Sequence, residues 1–324
     1  DFDNDRLLDL YVSNLFGANR LYRNRGDGRF DDVAKLAGVE RPQRSFPTWF
    51  WDFNNDGILD LYVSAYWATV DHFARDYFGK LQPGIEADHL YLGTETGRFR
   101  EVAREMGTAR ITLPMGSNFG DLNNDGYQDY YLGTGNPEIE ALMPNRMFLN
   151  QAGKSFREVT VPGGFGHLQK GHGVAFADLD HDGDQDIFIQ MGGAAAGDGF
   201  KNALFANPGF GNHWIKISLV GVQSNRFGIG ARLSAQIKES GKTRTIYKWV
   251  NSGGSFGANS LRQQLGLGKA STIGRLEVFW PTSGTTQVFE DVEADQWIEI
   301  KEDKKSYVKK TLRKLPFPMA ASTY

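Results

Sequence analysis

Four short acidic segments constrain this chain more than any other feature. They read Asp1-Phe2-Asp3-Asn4-Asp5-Arg6-Leu7-Leu8-Asp9, Asp52-Phe53-Asn54-Asn55-Asp56-Gly57-Ile58-Leu59-Asp60, Asp121-Leu122-Asn123-Asn124-Asp125-Gly126-Tyr127-Gln128-Asp129 and Asp178-Leu179-Asp180-His181-Asp182-Gly183-Asp184-Gln185-Asp186. Oxygen-bearing side chains recur at positions 1, 3, 5 and 9, and glycine stands at position 6 in three of the four. Alternate side chains of a tight loop can converge, and converging carboxylates repel one another unless a cation lies between them. Hard oxygens in this number suit Ca²⁺, which takes roughly 6–8 oxygen ligands. Glycine at position 6 permits the left-handed backbone that a sharp loop needs.

The expected ligands are therefore the side chains at positions 1, 3, 5 and 9 with the carbonyl at position 7. In the first loop these are Asp1, Asp3, Asp5, Leu7 and Asp9, and in the second Asp52, Asn54, Asp56, Ile58 and Asp60. In the third they are Asp121, Asn123, Asp125, Tyr127 and Asp129, and in the fourth Asp178, Asp180, Asp182, Asp184 and Asp186. Up to four ions are expected, one per loop. Arg6 replaces the glycine in the first loop, so that segment must either hold a left-handed conformation on a residue with a Cβ or distort. Clusters of Asp, Asn and Gly also make ordinary turns, but four matches in one register are hard to obtain that way. An EF-hand needs Glu at position 12 and flanking helices. Position 12 is Val12, Val63, Leu132 and Ile189, and the flanks alternate like strands.

More than the loop repeats. A short strand-like run follows each loop, at Leu8–Ser13, Leu59–Ala65, Tyr130–Gly133 and Ile187–Met191. Further strands are expected at Arg20–Asn24, His89–Gly93, Arg146–Asn150 and Ala203–Asn207, and then at Gly28–Val33, Gly97–Val102 and Lys154–Val159. One more strand precedes each later loop, at Phe46–Trp51, Met115–Gly120 and Gly173–Ala177. Four strands per unit joined by glycine-rich turns make a β-propeller blade, and stacked blades bury faces that one blade cannot bury alone. The Asp-x-Asp/Asn-x-Asp-Gly-x-x-Asp loop resembles that of FG-GAP/VCBS repeats. The resemblance covers residues 1–207, about three and a half blades, and implies that the loops bind Ca²⁺ and brace adjacent strands. The chain reads as beginning in mid-blade.

The repeat stops at the turn cluster Asn207-Pro208-Gly209-Phe210-Gly211-Asn212. About seven strands follow without a convincing helix, which predicts a small antiparallel sandwich or barrel over 208–301. This part resembles the ASPIC/UnbV domain through Ser224-Asn225-Arg226, Gly228-Ile229-Gly230-Ala231, Gly266-Leu267-Gly268 and Trp280-Pro281, although Thr282 separates Trp-Pro from Ser283-Gly284. Repeats coupled to this domain are the arrangement of secreted cartilage-acidic-protein-like proteins and many bacterial relatives. The resemblance implies an all-β, extracellular or cell-surface, calcium-stabilised protein, expected to be bacterial, that binds protein or glycan or assembles with itself.

Charge and composition agree with a cation binder. The chain has 324 residues and a net charge of −3. Residues 208–324 carry 17 Lys and Arg against 9 Asp and Glu, which leaves 19 against 30 for residues 1–207. The acidity belongs to the half with the loops, and this argues against a nucleic-acid surface. There is no Cys and no apolar run of membrane-spanning length. The tail 302–324 is basic, with Lys304, Lys305, Lys309, Lys310, Arg313 and Lys314, and reads as a solvated segment that could meet an acidic partner.

Three stretches remain as candidates for ligand chemistry. Residues 66–88 form an excursion in which Val70, Phe73, Ala74, Tyr77 and Phe78 fall at helical spacing. It could cap its own blade or present an aromatic platform. A smaller excursion spans 135–145. His167 and His172 precede the fourth loop and read as packing residues of the blade. No catalytic residue is assigned. There is no Gly-x-Ser-x-Gly elbow, His-Glu-x-x-His or phosphate loop. The alternative is a carbohydrate-active enzyme, a polysaccharide lyase working on 66–88 and 166–172. A pocket joining His72, His167 or His172 to an arginine and a carboxylate would point to it.

Overall fold

The computed structural model of the chain describes residues 1–80, 82, 84–135, 142–193, 197, 199–315 and 317. Most of the excursion expected at 135–145 lies outside them. Strands β1 (Leu10–Val12), β2 (Arg20–Asn24) and β3 (Phe30–Asp32) form a first antiparallel sheet, followed by the one-turn helix α1 (Ala34–Ala37). A second sheet holds β4 (Ser45–Trp51), β5 (Asp60–Ala65), β6 (His89–Gly93) and β7 (Phe99–Glu101) in that order. Helix α2 (Val70–Tyr77) is inserted between β5 and β6, and α3 (Ala103–Met106) follows β7. The third sheet is β8 (Gly116–Gly120), β9 (Asp129–Gly133), β10 (Arg146–Asn150) and β11 (Phe156–Glu158). The fourth is β12 (Gly171–Ala177), β13 (Asp186–Met191) and β14 (Ala203–Phe205). The chain is all-β apart from these short helices, and no sheet closes on itself.

Each core of this half is shared by consecutive sheets. Leu21 and Val39 pack with Leu61, Val63 and Tyr91 between the first two. Trp49, Trp51 and Tyr62 pack with Phe119, Tyr130 and Phe148 between the second and third. Tyr131, Met147 and Leu149 meet Val174, Phe176 and Ile187 between the third and fourth. Strands β5, β9 and β10 are buried along their whole length, as a strand covered on both faces must be. That is why they read as continuous apolar runs and not as alternating ones.

The C-terminal part forms two four-stranded sheets. One runs β18-β15-β21-β22 and the other β17-β16-β19-β20, from β15 (His213–Val220), β16 (Arg232–Glu239), β17 (Lys242–Trp249), β18 (Gln263–Gly268), β19 (Thr272–Phe279), β20 (Thr286–Glu293), β21 (Gln296–Lys301) and β22 (Val308–Lys310). Ile215, Ile217, Leu233, Leu265, Leu276 and Ile298 are among the residues of the core between them. Two expectations are corrected here. The sandwich is not wholly antiparallel: β15 and β21 run parallel, Ile215 opposite Gln296 and Val220 opposite Lys301. The chain leaves β15, builds other strands and returns, and a long connection permits a parallel pair where a hairpin does not. The segment after 301 is not a free tail at its start. Strand β22 adds to β21, and Lys310 pairs with Glu299 at 3.2 Å.

Glu302, at the head of that segment, is fully buried. Its carboxylate accepts the N–H groups of Val222, Gln223 and Ser224 at 2.6, 2.7 and 2.9 Å and the hydroxyls of Ser224 and Ser283 at 2.9 and 2.6 Å. Burial alone would raise its pKa. The hydrogen bonds from Ser283, Ser224 and Val222 outweigh that and hold it at about 2. Ser224 and Ser283 lie in the stretches that carry the family resemblance, and one carboxylate joins them.

A loop of this sandwich, residues 251–259, enters between the third and fourth sheets of the other half. Ser117 and Ser255 exchange backbone hydrogen bonds at 2.9 and 2.8 Å, and Val174 N–H donates to Phe256 O at 3.1 Å. A Cβ at Gly257 would lie 1.9 Å from Val174 O, so only glycine allows this approach.

Replacing Glu302 by Ala should cost roughly 3 kcal/mol by leaving buried donors unpaired; urea denaturation reads it. The Glu302 contribution is fully present above the ordinary carboxylate value of 4.5 and is lost as pH falls towards 2. The wild type and Glu302→Ala stabilities should therefore converge on acidification.

Candidate metal centres

The four loops share one backbone. Position 4 is left-handed in each, at Asn4, Asn55, Asn124 and His181 with φ of 59°, 58°, 54° and 63°. Position 6 is too, at Arg6, Gly57, Gly126 and Gly183 with φ of 76°, 84°, 90° and 105°. Arg6 thus takes the strained conformation and the loop does not distort at that point. These two reversals turn successive N–H groups inward. Asp52 accepts Asp56 N–H at 3.2 Å and Gly57 N–H at 2.8 Å. Asp121 accepts Asp125 N–H at 3.0 Å and Gly126 N–H at 2.7 Å, and Asp178 accepts Asp182 N–H at 3.1 Å and Gly183 N–H at 2.8 Å. Position 5 caps position 7 in all four, through Leu7, Ile58, Tyr127 and Asp184 N–H at 2.8–2.9 Å. The position-1 carboxylates of the last three loops and the position-5 carboxylates of all four are thus held by their own backbone.

Position 9 fastens each loop to the strands around it. One carboxylate oxygen accepts the position-2 N–H, at Phe2, Phe53, Leu122 and Leu179, over 2.8–3.1 Å. The other accepts the N–H of the residue closing the next strand, at Asn24, Gly93, Asn150 and Asn207, over 2.7–2.9 Å. Sequence reasoning missed the role of those asparagines. Asn150 donates its side-chain amide to Phe53 O and Gln128 O at 2.8 and 3.1 Å, and Asn207 to Leu122 O and Gln185 O at 2.7 and 3.0 Å. Each bridges its own loop to the preceding one. The signal was an asparagine closing the second strand in three of the four units.

Position 4 was also missed, and it forms a relay. Asn55 donates to Gly126 O at 2.9 Å, and Asn124 to Gly183 O at 3.0 Å. The same residues seat the C-terminal sheets. Tyr247 N–H donates to Asn55 Oδ1 at 3.0 Å, Gln264 Nε2 to Asn124 Oδ1 at 3.2 Å, and Gly268 N–H to Asn124 O at 2.9 Å. Arg244 reaches Asp125 O at 2.6 Å. Lys216 forms a buried ion pair with Asp178. At the fourth loop His181 meets Arg313 O at 2.9 Å, and Leu315 N–H donates to Asp180 O at 2.6 Å. The supposed solvated tail therefore closes over the last loop as far as residue 315.

Carboxylate oxygens converge in the fourth and first loops. One carboxylate oxygen from each of Asp178, Asp180 and Asp182 lies within 4.8 Å of the others, and the same holds for Asp1, Asp3 and Asp9. Burial pushes Asp52 and Asp121 up to about 7, with Asp56 and Asp125 adding repulsion. Burial, then repulsion from Asp121 and Asp125, puts Asp129 far above the carboxylate range; burial and then Asp182 bring Asp184 to about 6. A set of desolvated carboxylates with no nitrogen or sulfur donor fits a hard divalent cation. The first loop is different. Asp1 Oδ1 is buried without a hydrogen-bond partner, but Arg23 already lies on Asp3 at 2.8 Å and Asp5 at 3.5 Å. A guanidinium there supplies part of the charge that an ion would.

The other sequence candidates separate. His167 Nδ1 accepts Gln169 N–H at 3.0 Å and its ring packs on Phe200, while His172 packs on Phe256. Both are packing residues, as expected, and His72 lies elsewhere. The helix expected in 66–88 is α2. Its Asp76 is buried and holds Arg146 at 3.1 Å, which docks the helix on the third sheet, while Tyr77 and Phe78 stay exposed.

In metal-free buffer the loop carboxylates set the pH dependence. A group raised from 3.8 to about 7, as Asp52 and Asp121 are, keeps its proton in the folded chain after the unfolded chain has lost it. Its contribution to stability is full below 3.8 and is lost as pH rises to 7. The melting temperature with chelator present should fall across that window, and Asp52→Asn with Asp121→Asn should flatten the fall.

Residues 1–63 and 133–189 match the model of the FG-GAP-like repeat, and residues 221–307 match that of ASPIC and UnbV. Human cartilage acidic protein 1 is 28% identical over 287 residues, 84% of this chain and 38% of that protein. The Xenopus tropicalis protein of the same name is 27% identical over 86% of this chain and 40% of its own length. The chain thus spans about two fifths of the length of these relatives. It joins FG-GAP-like repeats to an ASPIC and UnbV domain and is similar over most of its length to cartilage acidic protein 1.

Proposed function

We propose that residues 1–207 form an arc of β-propeller blades stapled by Ca²⁺, one ion per loop, on which residues 208–310 sit as a second domain, and that the whole is an extracellular binding or structural scaffold. The observation that carries this reading is the seating of the C-terminal sheets on the position-4 residues of the loops. The loops are scaffold joints between blades and domain, not an open active site. Cores shared by consecutive sheets support the blade arrangement. In the first loop the ion competes with Arg23, which already lies on Asp3 and Asp5.

The setting follows from the same chemistry. Extracellular calcium modules work at about 10⁻⁴–10⁻³ M, an affinity within reach of mixed Asp/Asn loops. The relatives' name places an acidic protein in cartilage, and no helix among the described residues is long and apolar enough to cross a membrane. The partner would be a protein or glycan, or a second copy of the chain.

A lyase reading gains one observation. His72, Arg41, Arg44 and Glu86 line a common cleft. Glu86 is engaged, however, by Arg41 at 2.7 Å and by the Gln43 N–H at 3.0 and 2.9 Å, and His72 Nδ1 accepts Thr69 N–H at 3.3 Å. These contacts hold structure and leave no free acid–base pair, so binding is preferred. Eliminative release of unsaturated products from an acidic polysaccharide would reverse that preference.

Calcium should stabilise the fold by about 2.7 kcal/mol for each site filled at a hundred times its Kd. Differential scanning calorimetry should show a large fall in melting temperature on adding chelator, recovered by Ca²⁺, and Asp125→Ala should remove part of the difference. An unchanged melting temperature contradicts the proposal.

A further inference from the structure

The cleft beside α2 has a composition that the loops do not share. Its volume is about 530 Å³, within the range of small-ligand sites, and Arg41, Arg44, Trp67, His72 and Glu86 are on its walls. It opens beside the second sheet, because Arg44 leads into β4. The Arg44 guanidinium lies 4.5 Å from the ring centre of Trp67 and 5.8 Å from that of Phe16. His72 stands edge-on to Trp67 at 5.8 Å. The Arg44 backbone is fixed by Tyr66 N–H, which donates to Arg44 O at 2.7 Å.

Charge in the cleft is unbalanced. Arg41 has its carboxylate in Glu86. Arg44 has no carboxylate partner among the described residues, and Glu86 is already saturated by Arg41 and Gln43 N–H. A guanidinium resting over an aromatic ring can keep N–H groups for a ligand, and its fork matches a carboxylate with two parallel hydrogen bonds. Trp67 is 48% exposed and Phe16 82% exposed, so both rings offer apolar area next to that edge. An apolar face beside a carboxylate is the chemistry of a uronic acid ring: the sugar's C–H face covers the indole, its carboxylate meets Arg44, and its hydroxyls reach Gln43 and His72.

We propose that this cleft binds uronate-bearing oligosaccharides. The inference rests on the reading of the chain as an extracellular binding scaffold and names its ligand class. The preorganised partner is Arg44, and Trp67 is the stacking surface.

Isothermal titration calorimetry on the calcium-loaded chain tests it, with trigalacturonate and a hyaluronan tetrasaccharide as probes and maltotriose as the neutral control. At least one acidic probe should bind and maltotriose should not. Arg44→Ala and Trp67→Ala should each weaken binding about tenfold or more, and Arg44→Lys should recover part of it, because a lysine keeps the charge and loses the fork. Raising NaCl from about 0.05 to about 0.5 M should weaken it further by screening. Tyr77→Ala, on an exposed residue outside the cleft, should bind as wild type does. The melting temperature with calcium reports whether each variant is folded. If neither acidic probe binds, or maltotriose binds equally well, or folded Arg44→Ala and Trp67→Ala bind unchanged, the site is refuted. Calcium-dependent stabilisation would survive that outcome, so the two claims fail separately. An acidic peptide of glutamates that binds in place of the sugars, indifferent to Trp67, would also overturn it.

Discussion

The ninth-position carboxylate is the constraint on which the rest depends. Asp9, Asp60, Asp129 and Asp186 each give one oxygen to the loop's second N–H and the other to the N–H that ends the neighbouring strand. A charged acceptor of this kind is worth roughly 1.5–3 kcal/mol per hydrogen bond. It fixes where the loop begins, where the hairpin beside it ends, and therefore the position of every other donor in the loop. Asn150 and Asn207 extend the same frame to the preceding loop, so that the last three loops are parts of one lattice of hydrogen bonds.

The cost of this frame is electrostatic. The second, third and fourth loops collect carboxylates that burial and mutual repulsion drive towards neutrality. Two kinds of positive charge answer it. The proposed Ca²⁺ would lie inside the loop. From outside, the C-terminal sheets bring Lys216 onto Asp178 and the buried Lys248 close enough to Asp121 for its pKa to be affected. In the first loop Arg23 takes up that role within the repeat itself. The basic excess of the C-terminal half and the acidic excess of the other are thus two sides of one interface. The surface left for partners is elsewhere, and the cleft at Arg44 and Trp67 is part of it.

Much of this was legible in the sequence because it is local. The short strand-like runs and the loop register placed the strands of the first half within a few residues, and helical spacing placed α2. The left-handed sixth position was readable from glycine, and Arg6 obeys the same backbone. What could not be read was long-range. The parallel pairing of β15 with β21 depends on the path of the chain between them, which no local pattern encodes. Glu302 looked like the first residue of a charged tail, because its five donors come from residues 222–224 and 283. Asn55, Asn124 and His181 looked like filler at position 4, because their partners lie on the next loop or in the other half. Arg44 and Trp67 are distant in kind as well as sequence, and only the fold makes them one site.

The central claim is that the loops hold calcium. Native mass spectrometry of the purified chain, titrated with Ca²⁺ and with Mg²⁺ as the competing ion, counts bound ions directly. The account predicts stepwise uptake of at least three Ca²⁺ per chain, one for each loop beginning at Asp52, Asp121 and Asp178, with Asp60→Ala removing one of them. A chain that stays free of calcium at millimolar concentration, or binds the same number of ions when all three ninth-position aspartates are replaced yet remains folded, contradicts it.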